Sequence, residues 1–239
     1  MKTPFLVGYF LGGYPVADSS LRMFQRAADI VDIFEIGYPS KDPYYDGDEI
    51  IRAHKKVMKT GLPDISYWRR LRMLIKKPLW LMAYKKDFID NLRYRDFVVE
   101  SLADILVLPD CDDNIRCELQ AELVSHGMGV MGFANARTTL EQFRTIVEEY
   151  KNVYFQLYQG KTGSGGHEVD TSPYLELTKM QSDVRVFAGF GIKTAEKSRQ
   201  LINLGFDGVV IGTALLKALN ESESAMMGLL REISTAIRT

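Results

Sequence analysis

The sequence predicts an α/β protein with the architecture of a (β/α)8 TIM barrel. Two observations predict it. Short apolar runs alternate with amphipathic stretches along all 239 residues, and about 30 residues separate successive apolar runs, the length of one strand-helix unit. An open doubly wound sheet is the alternative that the same alternation permits. No low-complexity linker divides the chain, so we expect one domain over residues 1–239.

Eight runs have the length and composition of strands, and several are apolar without alternation, as is typical of strands covered on both faces. In chain order they are Pro4–Phe10, Val31–Gly37, Pro78–Tyr84, Ile105–Pro109, Gly129–Ala134, Asn152–Tyr158, Val184–Ala188 and Asp207–Ile211. The first run also resembles the apolar part of a signal peptide. However, no small-residue cleavage site follows it, and Gly12-Gly13-Tyr14-Pro15 is typical of a turn, so we expect a core strand there.

Amphipathic helices are predicted between these strands. Leu21, Phe24 and Ala28 repeat at helical spacing after the first strand, and residues 143–150 do so after the fifth. Similar stretches cover Glu118–Val124, Ala195–Leu204 and Ala214–Ile237. In a (β/α)8 barrel the active site lies in the loops that follow the carboxyl ends of the strands. The chemistry-bearing residues of this chain fall in those loops.

Composition excludes several classes of function. Lys plus Arg number 30 against 31 for Asp plus Glu, a net charge of −1, which disfavours a nucleic-acid partner. No stretch approaches the ~20 apolar residues that cross a bilayer, so no membrane association is expected. Cys111 and Cys117 are too few for a disulfide scaffold, and we expect reduced thiols and a cytoplasmic protein.

Glu35 interrupts the second apolar strand. If its carboxyl group points into the barrel mouth, burial raises its pKa and suits it to proton transfer near neutral pH. A structural ion pair inside the barrel is the alternative for Glu35 considered alone. Asp46 follows in the next loop, where prolines and Gly47 precede a predicted helix. N-capping by Asp46 or Asp48 is the alternative interpretation there.

Three glycine-bearing loops follow strands six, seven and eight. Residues 160–166 contain Gly-Lys-Thr, but Phe155 stands where a nucleotide P-loop requires its first glycine, so a mobile lid is favoured. Gly189-Phe190-Gly191 follows strand seven, and Gly212-Thr213 opens the helix after strand eight. Adjacent loops at these two positions of a barrel often bind phosphate, because glycines let backbone N–H groups approach closely. His54, His126 and His167 lack metal-ligand spacing, so no metal site is expected.

With these residues identified, the chain resembles the α subunit of tryptophan synthase. The strongest piece is Asp32–Gly47, DIFEIGYPSKDPYYDG, which is similar to the family segment E-x-G-x-P-x-x-D-P-x-x-D-G. Supporting pieces occur in the same order and at the same spacing as in the family: Leu81–Tyr84, Leu108–Asp110, Gly160–Gly163, Ala188–Ile192 and Asp207–Ala214.

The resemblance implies a lyase that cleaves indole-3-glycerol phosphate to indole and D-glyceraldehyde 3-phosphate. Glu35 would be the acid and base, and Asp46 would bind the indole N–H. Thr162 would close the lid onto Asp46, and the aromatic pocket would include Tyr84, Tyr154 and Phe190. The phosphate would be held by residues of the glycine loops, namely Gly163, Gly189, Gly191, Gly212 and Thr213.

The resemblance also implies a partner, the β subunit of tryptophan synthase, in an α-β-β-α heterotetramer. Pyridoxal phosphate (PLP) is expected only on that partner, and this chain is expected to need no cofactor. Departures from the family pattern occur at Ser40-Lys41, Tyr44-Tyr45, Cys111-Asp112 and Lys85-Lys86, and the last two fall in loops that the family uses to contact β.

Two other functions remain open from the sequence. One is a non-catalytic or weakly active subunit that only tunes β, which the retention of Glu35 and Asp46 disfavours. The other is a different phosphate-binding barrel, such as an isomerase or a prenyl transferase. The paired carboxylates together with Thr162 in the lid make that class less favourable.

Overall fold

A computed structural model of the chain describes residues 3–157, 170–179 and 183–239. The described strands are β1 (Phe5–Leu11), β2 (Ile33–Gly37), β3 (Leu79–Met82), β4 (Ile105–Val107), β5 (Gly129–Val130), β6 (Gly132–Asn135), β7 (Asn152–Gln156), β8 (Arg185–Gly189) and β9 (Gly208–Ile211). All strand pairs are parallel, in the order β5-β4-β3-β2-β1-β9-β8-β7-β6. The sheet curls into a nearly closed barrel, which confirms the predicted (β/α)8 fold.

The prediction of a continuous fifth strand over Gly129–Ala134 was wrong. Met131 divides it into β5, which pairs with β4, and β6, which pairs with β7. The backbone N–H of Met131 donates to the carbonyl oxygen of Leu106, 2.8 Å away, so β4 holds the chain as far as the break. One short segment therefore contacts both neighbours in the ring, and the change of partner occurs at a single bend.

Helices cover the outer face of the barrel. Those in the described residues are α1 (Ala17–Ala27), α2 (Asp48–Thr60), α3 (Ile65–Leu74), α4 (Lys85–Phe88), α5 (Tyr94–Val99), α6 (Asp113–Val124), α7 (Leu140–Glu149), α8 (Ser172–Lys179), α9 (Ala195–Leu204), α10 (Thr213–Glu221) and α11 (Glu223–Arg238). None of them is long and apolar enough to cross a membrane. Cys111 and Cys117 are not joined in a disulfide.

Side chains of β1 show how the core is divided. Leu6 and Phe10 pack outward against the helices, whereas Val7, Tyr9 and Leu11 belong to the cluster inside the barrel. This alternation follows from the two-residue period of a strand, and it requires apolar residues on both faces. The barrel interior is thus a packed core that ends at a cavity near the carboxyl ends of the strands.

Three aspartates stabilise the opposite, amino-terminal end of the barrel. Each lies just before one strand and accepts a hydrogen bond from a backbone N–H near the start of the previous strand in the chain. Asp32 accepts from Leu6 at 2.8 Å, Asp104 from Leu79 at 2.7 Å and Asp207 from Val186 at 2.8 Å. Asp104 also pairs with both terminal nitrogens of Arg72, at 2.8 and 3.0 Å. These carboxylates satisfy backbone groups that would otherwise have no partner where the ladder begins.

We expect Asp104→Ala to lower the free energy of unfolding by about 2 kcal/mol, because it removes a charged acceptor from Leu79 and a bidentate partner from Arg72. Urea unfolding measures the change. Asp18→Ala is the matched control, since its ion pair with Arg70 is exposed and should contribute less than about 0.5 kcal/mol. Equal effects of the two substitutions would contradict a specific role for Asp104.

Candidate active site

Glu35 lies inside the barrel. On β2 it lies on the same face as Ile33, which packs in the interior cluster, whereas Phe34 and Ile36 face outward. Only 3% of the residue is exposed, and it lines a cavity at the carboxyl end of the strands. Its Oε2 has no hydrogen-bond partner among the described residues. Glu35 forms no ion pair within the part of the chain that is described, contrary to the alternative interpretation.

Burial, and to a smaller extent the nearby Asp46 carboxylate, raise the pKa of the Glu35 carboxyl group to about 8. The physical cause is that the charged form loses hydration in an apolar cavity and is repelled by a second negative charge. Glu35 therefore carries a proton at neutral pH and can release it to a bound molecule without a large energetic barrier.

Asp46 lies in the same cavity and is 1% exposed. The hydroxyl group of Tyr84 donates to its Oδ2 at 2.8 Å, which fixes the carboxylate and stabilises its charge. Asp46 does not cap the following helix. Gly47 is the N-cap residue of α2, without a side-chain hydrogen bond, and Asp48 is already inside the helix. Both N-cap interpretations are therefore wrong for these aspartates.

His54, on α2, is a buried neighbour of Asp46 whose role the sequence did not reveal. Its Nδ1 accepts a hydrogen bond from the backbone N–H of Ser40 at 2.9 Å, so the ring proton is on Nε2. That Nε2 lies 3.9 Å from Oδ2 of Asp46. Burial lowers the pKa of His54 to about 4, and the imidazole is neutral at physiological pH. In the sequence it stands out only as one of three histidines without metal-ligand spacing.

The two late glycine loops form another wall of the cavity. Gly191 comes from the loop after β8, and Gly212 and Thr213 come from the start of α10. Phe190 and Gly191 have positive φ angles of 66° and 81°, a left-handed turn that brings the backbone to the cavity edge. Lys193 also lines this wall and adds a cation that the sequence analysis did not single out. The arrangement suits an anion.

Gly189 has a different place from the one predicted. It is the last residue of β8 and is not among the residues that line the cavity. A Cβ atom at Gly189 would stand 2.0 Å from Cε1 of Tyr154, so the glycine makes room for that ring. Thr162 and Gly163 lie outside the described residues, and so do Lys161 and His167.

Aromatic and aliphatic side chains complete the cavity, which spans about 660 Å³, part of it open to solvent. Tyr154 stacks on Phe133 at a centroid distance of 5.5 Å and meets Phe190 edge-on at 5.7 Å. Tyr84 is not part of the lining and acts through its hydrogen bond to Asp46. Within residues 3–157, 170–179 and 183–239, no cluster of three His, Cys, Asp or Glu side chains is suited to a metal ion.

The sequence model of one family, described as tryptophan synthase alpha chain, matches residues 1–238. The chain belongs to the tryptophan synthase alpha chain family. Membership assigns it a lyase role in tryptophan biosynthesis.

Relatives and solved structures agree with this assignment. The tryptophan synthase alpha chain of Caldicellulosiruptor saccharolyticus is 28% identical over 244 residues, covering 97% of this chain and 92% of that protein. That of Neisseria meningitidis serogroup B is 28% identical over 247 residues, covering 98% and 94%. A tryptophan synthase structure from Mycobacterium tuberculosis has a TM-score of 0.84 at 23% identity, and the match covers 99% of this chain and 93% of that one. The structure of the tryptophan synthase A-subunit from Pyrococcus furiosus has a TM-score of 0.82 at 24% identity, and the match covers 98% of this chain and 99% of that one.

Ser40, one of the departures from the usual alpha chain sequence, holds the loop that carries Asp46. Besides the backbone contact to His54, its Oγ donates to Oδ2 of Asp87 at 2.5 Å, and the N–H of Asp42 donates to Oγ at 3.0 Å. Ser40 is 1% exposed, so its hydroxyl needs these partners. The departure thus belongs to a hydrogen-bond network that fixes the loop between β2 and α2.

The raised pKa of Glu35 predicts how the stability of the fold depends on pH. Between its ordinary pKa of 4.5 and its folded-state pKa of about 8, the folded state holds a proton that the unfolded state has lost, so stability falls as the pH rises. Glu35→Gln removes this dependence. We expect the variant to gain stability relative to the wild type as the pH rises from 5 to 9, by an amount on the order of a few kcal/mol. Urea unfolding at several pH values gives the difference, in which groups common to both proteins cancel. A difference independent of pH would contradict the raised pKa.

Proposed function

We propose that this alpha chain cleaves indole-3-glycerol phosphate to indole and D-glyceraldehyde 3-phosphate. One observation carries the proposal: a buried, protonated Glu35 and the Asp46 carboxylate share an apolar cavity with two loops suited to an anion. The substrate combines the same elements, an apolar ring with one N–H, a chain with hydroxyl groups and a phosphate. An apolar cavity with few polar groups at defined positions is what such a ligand requires.

The reaction needs two proton transfers, and Glu35 performs both. Its protonated carboxyl group donates a proton to indole C3, which places a positive charge on the ring nitrogen. The resulting carboxylate then accepts the proton of the hydroxyl group on the carbon attached to C3. The electrons of the broken C–C bond return to the indole ring, and the chain leaves as an aldehyde. Glu35 ends the cycle protonated, so the atoms and charges balance.

Asp46 stabilises the charge that develops on the ring. Its carboxylate is held by Tyr84 and faces the cavity, so it accepts a hydrogen bond from the indole N–H as that group becomes cationic. Gly191, Gly212 and Thr213 bind the phosphate, with the positive end of α10 and Lys193 adding attraction. Tyr154 and Phe190 contact the indole ring. The roles of Thr162 as lid residue and Gly163 as phosphate ligand stay predictions.

A partner that takes up the released indole fits the surface beside the cavity. Tyr45, Pro109 and Phe133 line both the catalytic cavity and a second, more open one that extends past Arg116 and Arg137. The loops after β3 and β4 are joined there, because the N–H of Lys85 donates to the Asp110 carboxylate at 2.9 Å. We assign this side to the tryptophan synthase β subunit, in an α-β-β-α complex. The proton transfers on this chain require no cofactor of its own, and PLP belongs to the partner.

Glu35→Gln tests the proposed reaction, because it removes proton transfer while preserving the shape of the side chain. We expect kcat for indole formation to fall at least 100-fold, roughly the contribution of a general acid or base, with affinity for indole-3-propanol phosphate nearly unchanged. In the wild type, kcat/KM should decrease as the pH rises through about 8, where Glu35 loses its proton. Indole release is measured with and without the β subunit. A wild type that is inactive in both conditions would favour the non-catalytic tuning subunit.

Gly212→Asp tests the phosphate site. A carboxylate at the start of α10 would repel the phosphate, and we expect the affinity for glycerol 3-phosphate to fall by at least 10-fold. Gly228→Asp is the control, since it adds the same charge at an open position on α11. Calorimetric titration measures both. Equal affinities of the two variants would place the phosphate elsewhere.

A further inference from the structure

Tyr9 presents a buried hydroxyl group to the catalytic cavity. The residue is 4% exposed, lines the cavity, and its hydroxyl oxygen has no hydrogen-bond partner in the part of the chain that the structure describes. A buried hydroxyl without a partner destabilises the folded protein, and a phenylalanine would fill the same space without that cost. From the sequence alone, Tyr9 is only one residue of the first apolar strand.

The sheet register places Tyr9 directly beside Glu35. The two residues are Cα partners in the β1–β2 pair, and both side chains point into the barrel. The hydroxyl group occupies space that a side chain at residue 37 would fill, because a Cβ atom at Gly37 would stand 2.5 Å from the hydroxyl oxygen. Gly37 follows Glu35 by two residues on the same face of β2. The hydroxyl is therefore one layer nearer the cavity mouth than Glu35.

The other end of the Tyr9 side chain lies next to the phosphate loop. A Cβ atom at Gly212 would be 3.6 Å from the Cβ of Tyr9, an ordinary contact. The tyrosine thus runs across the floor of the cavity, from Gly212 on one side to Gly37 on the other. A ligand that has its anion at Gly212 and its reacting carbon at Glu35 must pass over Tyr9.

We propose that the Tyr9 hydroxyl hydrogen-bonds a hydroxyl group of the substrate chain, between its phosphate and its indole ring. This inference rests on the proposed function, since it takes the substrate to be a hydroxylated alkyl phosphate. Tyr9 is then a specificity-determining residue. An unsatisfied buried hydroxyl gains its partner only from a ligand that carries a polar group at that point, and ligands without one leave it unpaired.

Tyr9→Phe tests the contact with two ligands that differ in the chain hydroxyls. We expect kcat/KM for indole-3-glycerol phosphate to fall roughly 10-fold, the effect of one lost neutral hydrogen bond. The inhibition constant of indole-3-propanol phosphate, which lacks both hydroxyls, should change less than twofold. The midpoint of thermal unfolding should rise, because the variant no longer buries an unpaired hydroxyl.

Tyr67→Phe is the matched control. Its hydroxyl group is also buried, but it accepts from the N–H of Gly13 and contacts the Ser20 hydroxyl, both at 2.9 Å, outside the cavity. We expect this variant to lose thermal stability and to keep kcat/KM. An equal loss for both ligands with Tyr9→Phe would overturn the proposal, because it would show that the hydroxyl only shapes the apolar pocket. So would no loss for either ligand while the wild type is active. A wild type without turnover would overturn the proposed function as well.

Discussion

The site depends on the burial of one carboxyl group, that of Glu35, in the same dry cavity as the Asp46 carboxylate. Two negative charges cannot both be accommodated cheaply in an apolar space, so one of them takes up a proton. The two groups differ in their hydrogen bonding. Asp46 receives the Tyr84 hydroxyl, whereas Oε2 of Glu35 has no partner among the described residues. The two carboxyl groups are chemically alike, but their surroundings differ: a hydroxyl donor holds Asp46, whereas burial without a partner for Oε2 raises the pKa of Glu35.

The two ends of the barrel use polar groups in opposite ways. At the amino-terminal end, the carboxylates of Asp32, Asp104 and Asp207 accept backbone N–H groups and fasten strands to their neighbours. At the carboxyl end, Glu35 and Tyr9 keep polar atoms that find no partner within the described chain. The first arrangement stabilises the fold. The second costs stability and leaves hydrogen-bonding capacity for a ligand, which is the trade-off expected of an active site.

The sequence predicts much of this molecule because its signals are local. The repeat of strand and helix indicates the barrel, and a lone acidic residue in an apolar strand indicates Glu35. Features that depend on packing between distant segments were missed or misread. The break at Met131 arises from pairing with two different strands, and Gly189 makes room for the Tyr154 ring. The roles of His54 and Tyr9 depend on neighbouring residues that are distant in the sequence, and no sequence pattern identifies those neighbours.

The loop that carries Asp46 is anchored to three separate parts of the protein. Ser40 connects it to Asp87 on α4 and to His54 on α2, and the hydroxyl group of Tyr44 donates to Asp110, after β4, at 3.1 Å. Such a loop cannot be transferred to another protein on its own without losing these contacts. If the loop of a relative with an apolar residue at position 40 were grafted into this chain, the Asp87 carboxylate would lose its donor. Successful exchange of specificity between family members would therefore require the loop and its anchoring residues to be transferred together.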